Sequence, residues 1–226
     1  MLSQFNLVDF LITVLVLLSA ISLHEFAHAW AAMKLGDRTA YYEGRVTLHP
    51  AAHLDPMGTM MMLVSALTGY GIGWGKPVPV NPYNLKYGPR VGGAITAAAG
   101  PISNILQAIL WGIPLRLAVQ GTLTLPDLAF QFLFVGLWIN IGLALFNLIP
   151  LYPLDGFSVI RGLLSLIRTR WADDVVNFLE RLQPFAPIVL LALIFFDQAL
   201  PGPGILGTIL YVPAQKLAGL ILGVPL

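Results

Sequence analysis

Two histidines and a glutamate in one apolar stretch have the types and spacing for metal-dependent chemistry. The run His24-Glu25-Phe26-Ala27-His28 has the pattern H-E-x-x-H. On an α-helix, residues four apart share a face about one turn from each other, so both imidazoles could bind one tetrahedral metal ion. Glu25 is rotated off that face and could act as a base on a water molecule without binding the metal. A buried polar cluster is the alternative, but ionisable residues inside a membrane helix are costly and by default functional.

A metal site of this kind needs a third protein ligand, and Asp155 is the candidate. It is the only acid at the end of an uncharged stretch, and Pro150 and Pro153 interrupt that stretch just before it. Broken backbone within a membrane is tolerated where it lines a protein or water-filled cavity. An Asp in this position can also cap the helix that follows, which is compatible with metal binding.

The composition places these residues in a membrane. Of the 226 residues, 57% are hydrophobic and 10% are charged, the net charge is +1, and there is no cysteine. A soluble domain carries about 25% charged residues. These values exclude a disordered chain, a nucleic-acid binder, an ordinary cytosolic domain and a cysteine-based zinc site. They indicate an integral membrane protein.

Apolar stretches predict the helices that position the site. The first runs from Leu7 to Lys34, and we interpret it as a retained membrane helix, because no basic residue precedes it and no cleavage site follows Leu23. Two further stretches have no charge and are long enough to span a bilayer: Val91–Leu115 and Leu128–Leu154. The C-terminal stretches Pro184–Phe196 and Ile205–Gly223 are interpreted as a hairpin of imperfect membrane helices.

Residues 56–75 are apolar but carry five glycines, which predicts a re-entrant loop or β-hairpin after the first helix. The proline-rich segment 76–82 that follows is predicted to be extended. The predicted fold is therefore an all-α polytopic membrane protein of about five to six segments. It forms one membrane-embedded domain over residues 1–226, with its core at 7–156 and C-terminal helices at 157–226.

The basic residues predict the orientation. Ten of the twelve fall on one side if 56–75 returns to the side that it left, and the positive-inside rule makes that side cytoplasmic. The N-terminus then lies outside, and His24 and Asp155 both lie in the cytoplasmic half. These ten residues are Lys34, Arg38, Arg45, Lys76, Lys86, Arg90, Arg161, Arg168, Arg170 and Arg181.

These motifs resemble the site-2 proteases, which are intramembrane zinc metalloproteases. Besides H-E-x-x-H, the sequence matches the family's later motif N-x-x-P-x-x-x-L-D-G from Asn147 to Gly156. The resemblance extends to Gly100-Pro101-Ile102-Ser103-Asn104 and to the segments around 53–58 and 75–82. It is closest to short bacterial and archaeal members without PDZ or CBS domains, which implies a prokaryotic cytoplasmic membrane.

The resemblance implies roles for individual residues. His24, His28 and Asp155 would bind one zinc ion per chain, Glu25 would be the catalytic acid and base, and Asn147 would contact the substrate or the oxyanion. We also expect substrate contacts at a second group of residues, Gly100, Asn104, Val78 and Val80. His53 and Asp55 could be regulatory, although loop histidines beside turn prolines are more commonly only solvated.

The predicted function is zinc-dependent endopeptidase activity on peptide bonds in or near transmembrane segments. It would serve regulated intramembrane proteolysis or the clearance of signal-peptide remnants. The partners would be a transmembrane protein or peptide substrate and the lipid bilayer. The alternatives are a non-catalytic metal-binding protein, such as a transporter or sensor, and a pseudoprotease. Iron also suits two histidines and a carboxylate, and the sequence leaves the oligomeric state and the substrate open.

Overall fold

The computed structural model describes residues 6–68, 73–167, 169–199 and 204–225. Within these ranges the protein is helical, and no strand is formed; Leu54 and Gly75 make an isolated antiparallel bridge. The α-helices of the described residues are α1 (Leu7–Lys34), α2 (Thr39–Tyr42), α3 (Pro56–Thr68), α4 (Gly88–Val119), α5 (Asp127–Asn147), α6 (Asp155–Ser165), α7 (Arg170–Leu182), α8 (Ala186–Ala199) and α9 (Gly204–Leu222).

Three of these helices, α1, α4 and α5, are long and apolar enough to cross a membrane. A fourth span is possible if α7 and the first part of α8, which meet at 76°, count as one. The all-helical membrane architecture is thus supported, whereas the count of five to six segments stays a prediction. So does the re-entrant loop. The alternative of a β-hairpin is wrong for residues 56–68, which form α3, and residues 69–72 lie outside the described part of the chain.

Local sequence signals explain the ends of α1. The Asn6 side chain accepts a hydrogen bond from the Val8 amide at 2.9 Å, which is a standard N-cap. Asp9 in the first turn and Lys34 in the last turn both complement the helix dipole. With 28 residues, α1 is about 42 Å long and can cross the ~30 Å hydrocarbon core with about two turns to spare.

Helix α4 lies at the centre and packs against α1, α5, α6 and α9. Small residues allow these close approaches. A Cβ atom on Gly162 would lie 2.2 Å from the Ala94 Cβ, so α6 can meet α4 only at a glycine. A Cβ atom on Gly112 would lie 2.2 Å from the Ile221 Cγ2, which sets the contact between α4 and α9 in the same way.

The opposite side of α4 carries a stripe of exposed large apolar residues. In water such a stripe would be an association site, but in a bilayer it is the surface that faces the acyl chains. The spacing of three or four residues keeps the stripe on one face of the helix. It consists of Ile102, Leu106, Leu110, Ile113 and Leu117.

Candidate metal centre

Three potential metal ligands from α1 and α6 converge at one point. His24 and His28 lie one turn apart on α1, and each is only 8% exposed. Their Nε2 atoms are 3.0 Å apart. Asp155 Oδ2 lies 3.2 Å from His24 Nε2, and Asp155 Oδ1 lies 3.3 Å from His28 Nε2. The structure therefore brings together the three residues predicted as ligands from the sequence.

A break in the chain after α5 delivers Asp155. As the sequence predicted, the uncharged stretch 128–154 is interrupted before Asp155: α5 ends at Asn147, because Pro150 and Pro153 cannot continue a helix. The segment 148–154 folds back on the end of α5, and Asp155 is the first residue of α6. A Cβ atom on Gly156 would lie 2.2 Å from the Leu148 carbonyl oxygen, so this fold requires glycine beside Asp155.

Helix α4 forms the wall behind the two imidazoles. A Cβ atom on Gly100 would lie 2.4 Å from His28 Nε2 and 2.6 Å from His24 Cε1. Both rings can therefore lie against the α4 backbone only because position 100 has no side chain. The expected contact of Gly100 with substrate stays a prediction, whereas its described contacts are with His24 and His28.

The other nitrogen of each ring is bonded to α4. His28 Nδ1 lies 2.8 Å from the Thr96 carbonyl oxygen, and His24 Nδ1 lies 2.6 Å from Asn104 Oδ1. A carbonyl oxygen only accepts, so His28 Nδ1 carries the proton, and its Nε2 presents a lone pair. Asn104 holds His24 in the same tautomer. The Asn104 side chain is fully buried, and the contact with substrate that we expected for Asn104 stays a prediction.

The donor set fits a metal ion. Two imidazole nitrogens and a carboxylate face one another at 3.0–3.3 Å, and a cation held between these acceptors would offset their mutual repulsion. No described residue donates a hydrogen bond to the buried Asp155 Oδ2. Ligand atoms held ~2.0–2.1 Å from a tetrahedral zinc ion are about 3.3–3.4 Å apart, close to the observed separations.

Glu25 lies beside the segment that follows residue 73. The Glu25 side chain is half-buried. A Cβ atom on Gly75 would lie 3.0 Å from Glu25 Oε1 and 2.8 Å from the Ile21 Cγ2. The backbone at Gly75 therefore passes directly over the carboxylate, and the chain then leads into the extended segment 76–81.

Two buried charged residues hold this extended segment in place. Arg45 is 3% exposed, and its guanidinium donates to the carbonyl oxygens of Lys76 at 2.5 Å and Pro77 at 3.1 Å. Asp37 is fully buried and accepts a hydrogen bond from the Asn81 amide at 2.7 Å. It also accepts hydrogen bonds from the Thr39 amide and hydroxyl and from the Asn84 side chain.

The sequence did not indicate these contacts, because neither Asp37 nor Arg45 belongs to a recognisable motif. We call these two residues the clamps and residues 76–81 the clamped segment. Val78 and Val80, which we expected to contact substrate, lie on the clamped segment and are half-buried. Their role stays a prediction.

The remaining predicted residues have local partners. The Asn147 side chain donates to the Leu143 carbonyl oxygen at 2.9 Å, within its own helix. His53 is fully buried, with its Nε2 2.7 Å from the Thr47 carbonyl oxygen. Asp55 accepts a hydrogen bond from the Gly58 amide at 2.8 Å, at the start of α3. The catalytic role of Asn147 and the regulatory roles of His53 and Asp55 stay predictions.

Comparisons with known proteins agree with this site. The model of peptidase family M50 matches residues 112–191, which include Asp155. Putative zinc metalloprotease YwhC of Bacillus subtilis is 39% identical over 160 residues, covering 66% of this chain and 68% of that protein. Putative zinc metalloprotease MJ0611 of Methanocaldococcus jannaschii is 28% identical over 161 residues, covering 70% and 73%.

A third relative, Putative zinc metalloprotease Rip2 of Mycobacterium tuberculosis H37Rv, is 29% identical over 149 residues, covering 63% of this chain and 53% of that protein. No solved structure matches the chain. The convergence of both motifs on one point, the family match and the 39% identity over two thirds of a relative agree with one another. The chain therefore belongs to peptidase family M50, the site-2 proteases.

Proposed function

We propose that this protein is a zinc-dependent endopeptidase that cleaves peptide bonds within or beside transmembrane segments. One observation carries the proposal: the convergence of His24, His28 and Asp155 with a glutamate adjacent in sequence, on a helix long and apolar enough to cross a membrane. A membrane protein or peptide is the substrate class that can reach a site in this position.

His24 Nε2, His28 Nε2 and one carboxylate oxygen of Asp155 would hold the metal, which leaves a fourth position for the reacting groups. Bound zinc supplies Lewis-acid chemistry, because it makes a water molecule more acidic and polarises a carbonyl group. The relatives are named zinc metalloproteases, which supports zinc over iron for this chain.

Glu25 is the proposed general base and acid. Its carboxylate accepts a proton from the attacking water while the bond between water oxygen and substrate carbon forms. It then gives this proton to the amide nitrogen as the carbon–nitrogen bond breaks, so that a carboxylic acid and an amine leave the site. An amide donor such as Asn147 would stabilise the oxyanion, a role worth on the order of 3 kcal/mol for one donor in other enzymes.

The clamped segment 76–81 is the proposed binding surface for unwound substrate. A helical substrate has its carbonyl groups in its own hydrogen bonds, so it must open before attack. The extended backbone that follows Gly75 could pair with the opened strand, and Val78 and Val80 could contact its side chains. Pro77 and Pro79 limit the number of hydrogen bonds that this segment can donate.

We propose that residues 1–226 form one membrane domain of five to six segments, with residues 56–75 as a re-entrant element. The loop after α1 and the start of α4 would lie in the cytoplasm, and the N-terminus would lie outside. The distribution of basic residues supports this orientation, because Arg116 and Lys216 alone lie outside the ten that share one side.

Metal analysis of paired variants tests the proposal without a known substrate. We expect about one zinc per chain in the detergent-purified protein, no zinc in Asp155→Ala, and about one in Glu25→Gln. Glu25→Gln should also abolish cleavage of any substrate that the unmodified protein cuts, by at least about 100-fold, because a general base contributes 10²–10⁴-fold.

The control is Gln107→Leu, which removes a buried amide outside the site. Zinc binding that is indifferent to Asp155 would contradict the assigned site. Cleavage that survives in Glu25→Gln would contradict the assigned chemistry.

A further inference from the structure

Asn140 is a fully buried polar residue in the middle of α5, where an unsatisfied amide would be costly. Its Nδ2 donates to the Gly136 carbonyl oxygen at 2.9 Å, and its Oδ1 accepts from Asn104 Nδ2 at 2.9 Å. Asn104 in turn faces His24 Nδ1. A chain of hydrogen bonds therefore leads from the α5 backbone to a metal ligand on α1.

The Gly136 carbonyl oxygen fixes which group donates and which accepts in every hydrogen bond of this series. A carbonyl oxygen can only accept, so the NH2 group of Asn140 must face it, and Asn140 must turn its oxygen toward Asn104. Asn104 then presents its own NH2 group to Asn140 and its oxygen to His24. The nitrogen of His24 that faces Asn104 must consequently be the protonated one, and Nε2 is left free to bind a metal.

His28 and His24 differ in the kind of group that fixes the tautomer of the imidazole. His28 Nδ1 faces the Thr96 carbonyl oxygen, which belongs to the backbone and has only one possible polarity. His24 Nδ1 faces a side-chain amide, whose oxygen and nitrogen ends can exchange by rotation. The donation of Asn104 to the Ala20 carbonyl is long, at 3.4 Å, and restrains this rotation weakly. Asn140 is thus the main restraint on the Asn104 amide.

We infer that Asn140 is a positioning residue, which holds His24 in its metal-binding tautomer through Asn104 without contacting the metal. The inference rests on the proposed metal centre. Partners behind metal-binding histidines raise metal affinity by fixing the ring and its tautomer, and their loss typically lowers affinity 10–100-fold. Without Asn140, the Asn104 amide can turn its NH2 group to His24, and His24 then protonates on Nε2.

The first test compares two substitutions of buried amides by leucine. Asn140→Leu should weaken zinc binding about 10–100-fold, measured by competition with a chromophoric chelator in detergent. Gln107→Leu is the matched control, because Gln107 is 7% exposed and no described residue bonds to its amide atoms. We expect its zinc affinity to change less than about twofold, since it does not reach His24.

A second variant separates positioning from packing. Asn140→Asp keeps an oxygen that accepts from Asn104, so the direction of the chain survives whether or not the acid is protonated. We expect Asn140→Asp to bind zinc more tightly than Asn140→Leu. If Asn140 only fills space, the order reverses, because leucine suits an apolar core better than a carboxyl group.

The histidine tautomers of the metal-free protein give a readout that does not depend on zinc. Nitrogen-15 NMR of the labelled imidazoles is done in the Asp155→Ala background, because the Asp155 carboxylate lies 3.2 Å from His24 Nε2 and would itself favour a proton there. His24 should be the Nδ1-protonated form in this background and with Asn140→Asp added, and a mixture with Asn140→Leu added. A single tautomer and unchanged zinc affinity in Asn140→Leu would overturn the inference. Absence of zinc binding in the unmodified protein with the expected tautomers would instead overturn the proposed function.

Discussion

Gly100 shows how little space a metal site inside a helix bundle leaves. The two imidazoles lie against the α4 backbone at a point where even one methyl group would overlap a ring nitrogen. The same helix has a glycine at position 93 that a Cβ atom could occupy without meeting any atom within 4 Å. Gly100 is therefore required by the site, whereas Gly93 reflects only the general preference for small residues in membrane helices.

Gly100→Ala should therefore destroy the metal site, whereas Gly93→Ala should not. The new methyl group must push both imidazoles away from α4, and overpacking of this kind costs about 1–3 kcal/mol of stability as well. We expect zinc per chain to fall to near zero in Gly100→Ala and to stay unchanged in Gly93→Ala, by elemental analysis of the purified proteins. Equal zinc content in the two variants would contradict the geometry.

For individual residues, the sequence predicted that His24, His28 and Asp155 would converge, but it did not predict the groups on α4 and α5 that support the two histidines. The spacing of His24 and His28 defines a helix face, and Asp155 follows a proline-interrupted stretch, so side-chain types were sufficient. Thr96 was missed because it contributes a backbone carbonyl, which no side-chain pattern reveals. Asn140 could have been found, since an amide in the middle of an uncharged stretch must have a buried partner.

The position of segment 76–81 depends on its hydrogen bonds to two charged side chains, Asp37 and Arg45. Burial raises the pKa of the Asp37 carboxyl, but hydrogen bonds from the Thr39 hydroxyl, the backbone amides of Asn81 and Thr39 and the Asn84 side chain outweigh burial and lower it. A carboxyl whose pKa is lower in the folded state stabilises the fold above its ordinary value of about 3.9. This contribution is lost as the pH falls below that value.

We expect the thermal stability of the detergent-solubilised protein to fall as the pH is lowered from about 5 to about 2.5, in part through Asp37, whose contribution is lost below about 3.9. Asp37→Asn should lower stability by about 1–3 kcal/mol at pH 6, because the Asn81 amide loses its buried acceptor. It should also flatten the pH dependence. Unfolding monitored by circular dichroism checks both effects, and parallel pH profiles for the two proteins would contradict this assignment.

Hydropathy predicted the long helices better than their ends. The expected span 91–115 extends to Gly88–Val119 in the structure, and it takes in Arg116 near one end. In the uncharged stretch 128–154 the helix stops at Asn147, and the two prolines that follow predicted this break where hydropathy did not. The clamps on segment 76–81 come from residues more than 30 positions away, and local sequence patterns do not report such contacts.

For the whole molecule, the orientation in the membrane is the main prediction. The chain contains no cysteine, so single cysteines can be introduced without background. Glu43 follows α2 and Gln120 follows α4, both are exposed, and they lie on opposite sides of the bilayer if α4 spans it. In intact cells, a membrane-impermeant thiol reagent should label Gln120→Cys fully and Glu43→Cys only after permeabilisation. The reverse pattern would place the basic loops outside.

The spacing of the groups on α4 that support the two histidines restricts where insertions and deletions can occur. Thr96, Gly100 and Asn104 are four residues apart on α4, and they respectively bond to His28, make room for both rings and bond to His24. One inserted residue rotates the helix beyond it by about 100° and advances it by about 1.5 Å. An insertion between Thr96 and Asn104 would turn one support away from its ring while the other stayed in place. Related chains should therefore differ in length before or after this eight-residue interval but keep its length constant.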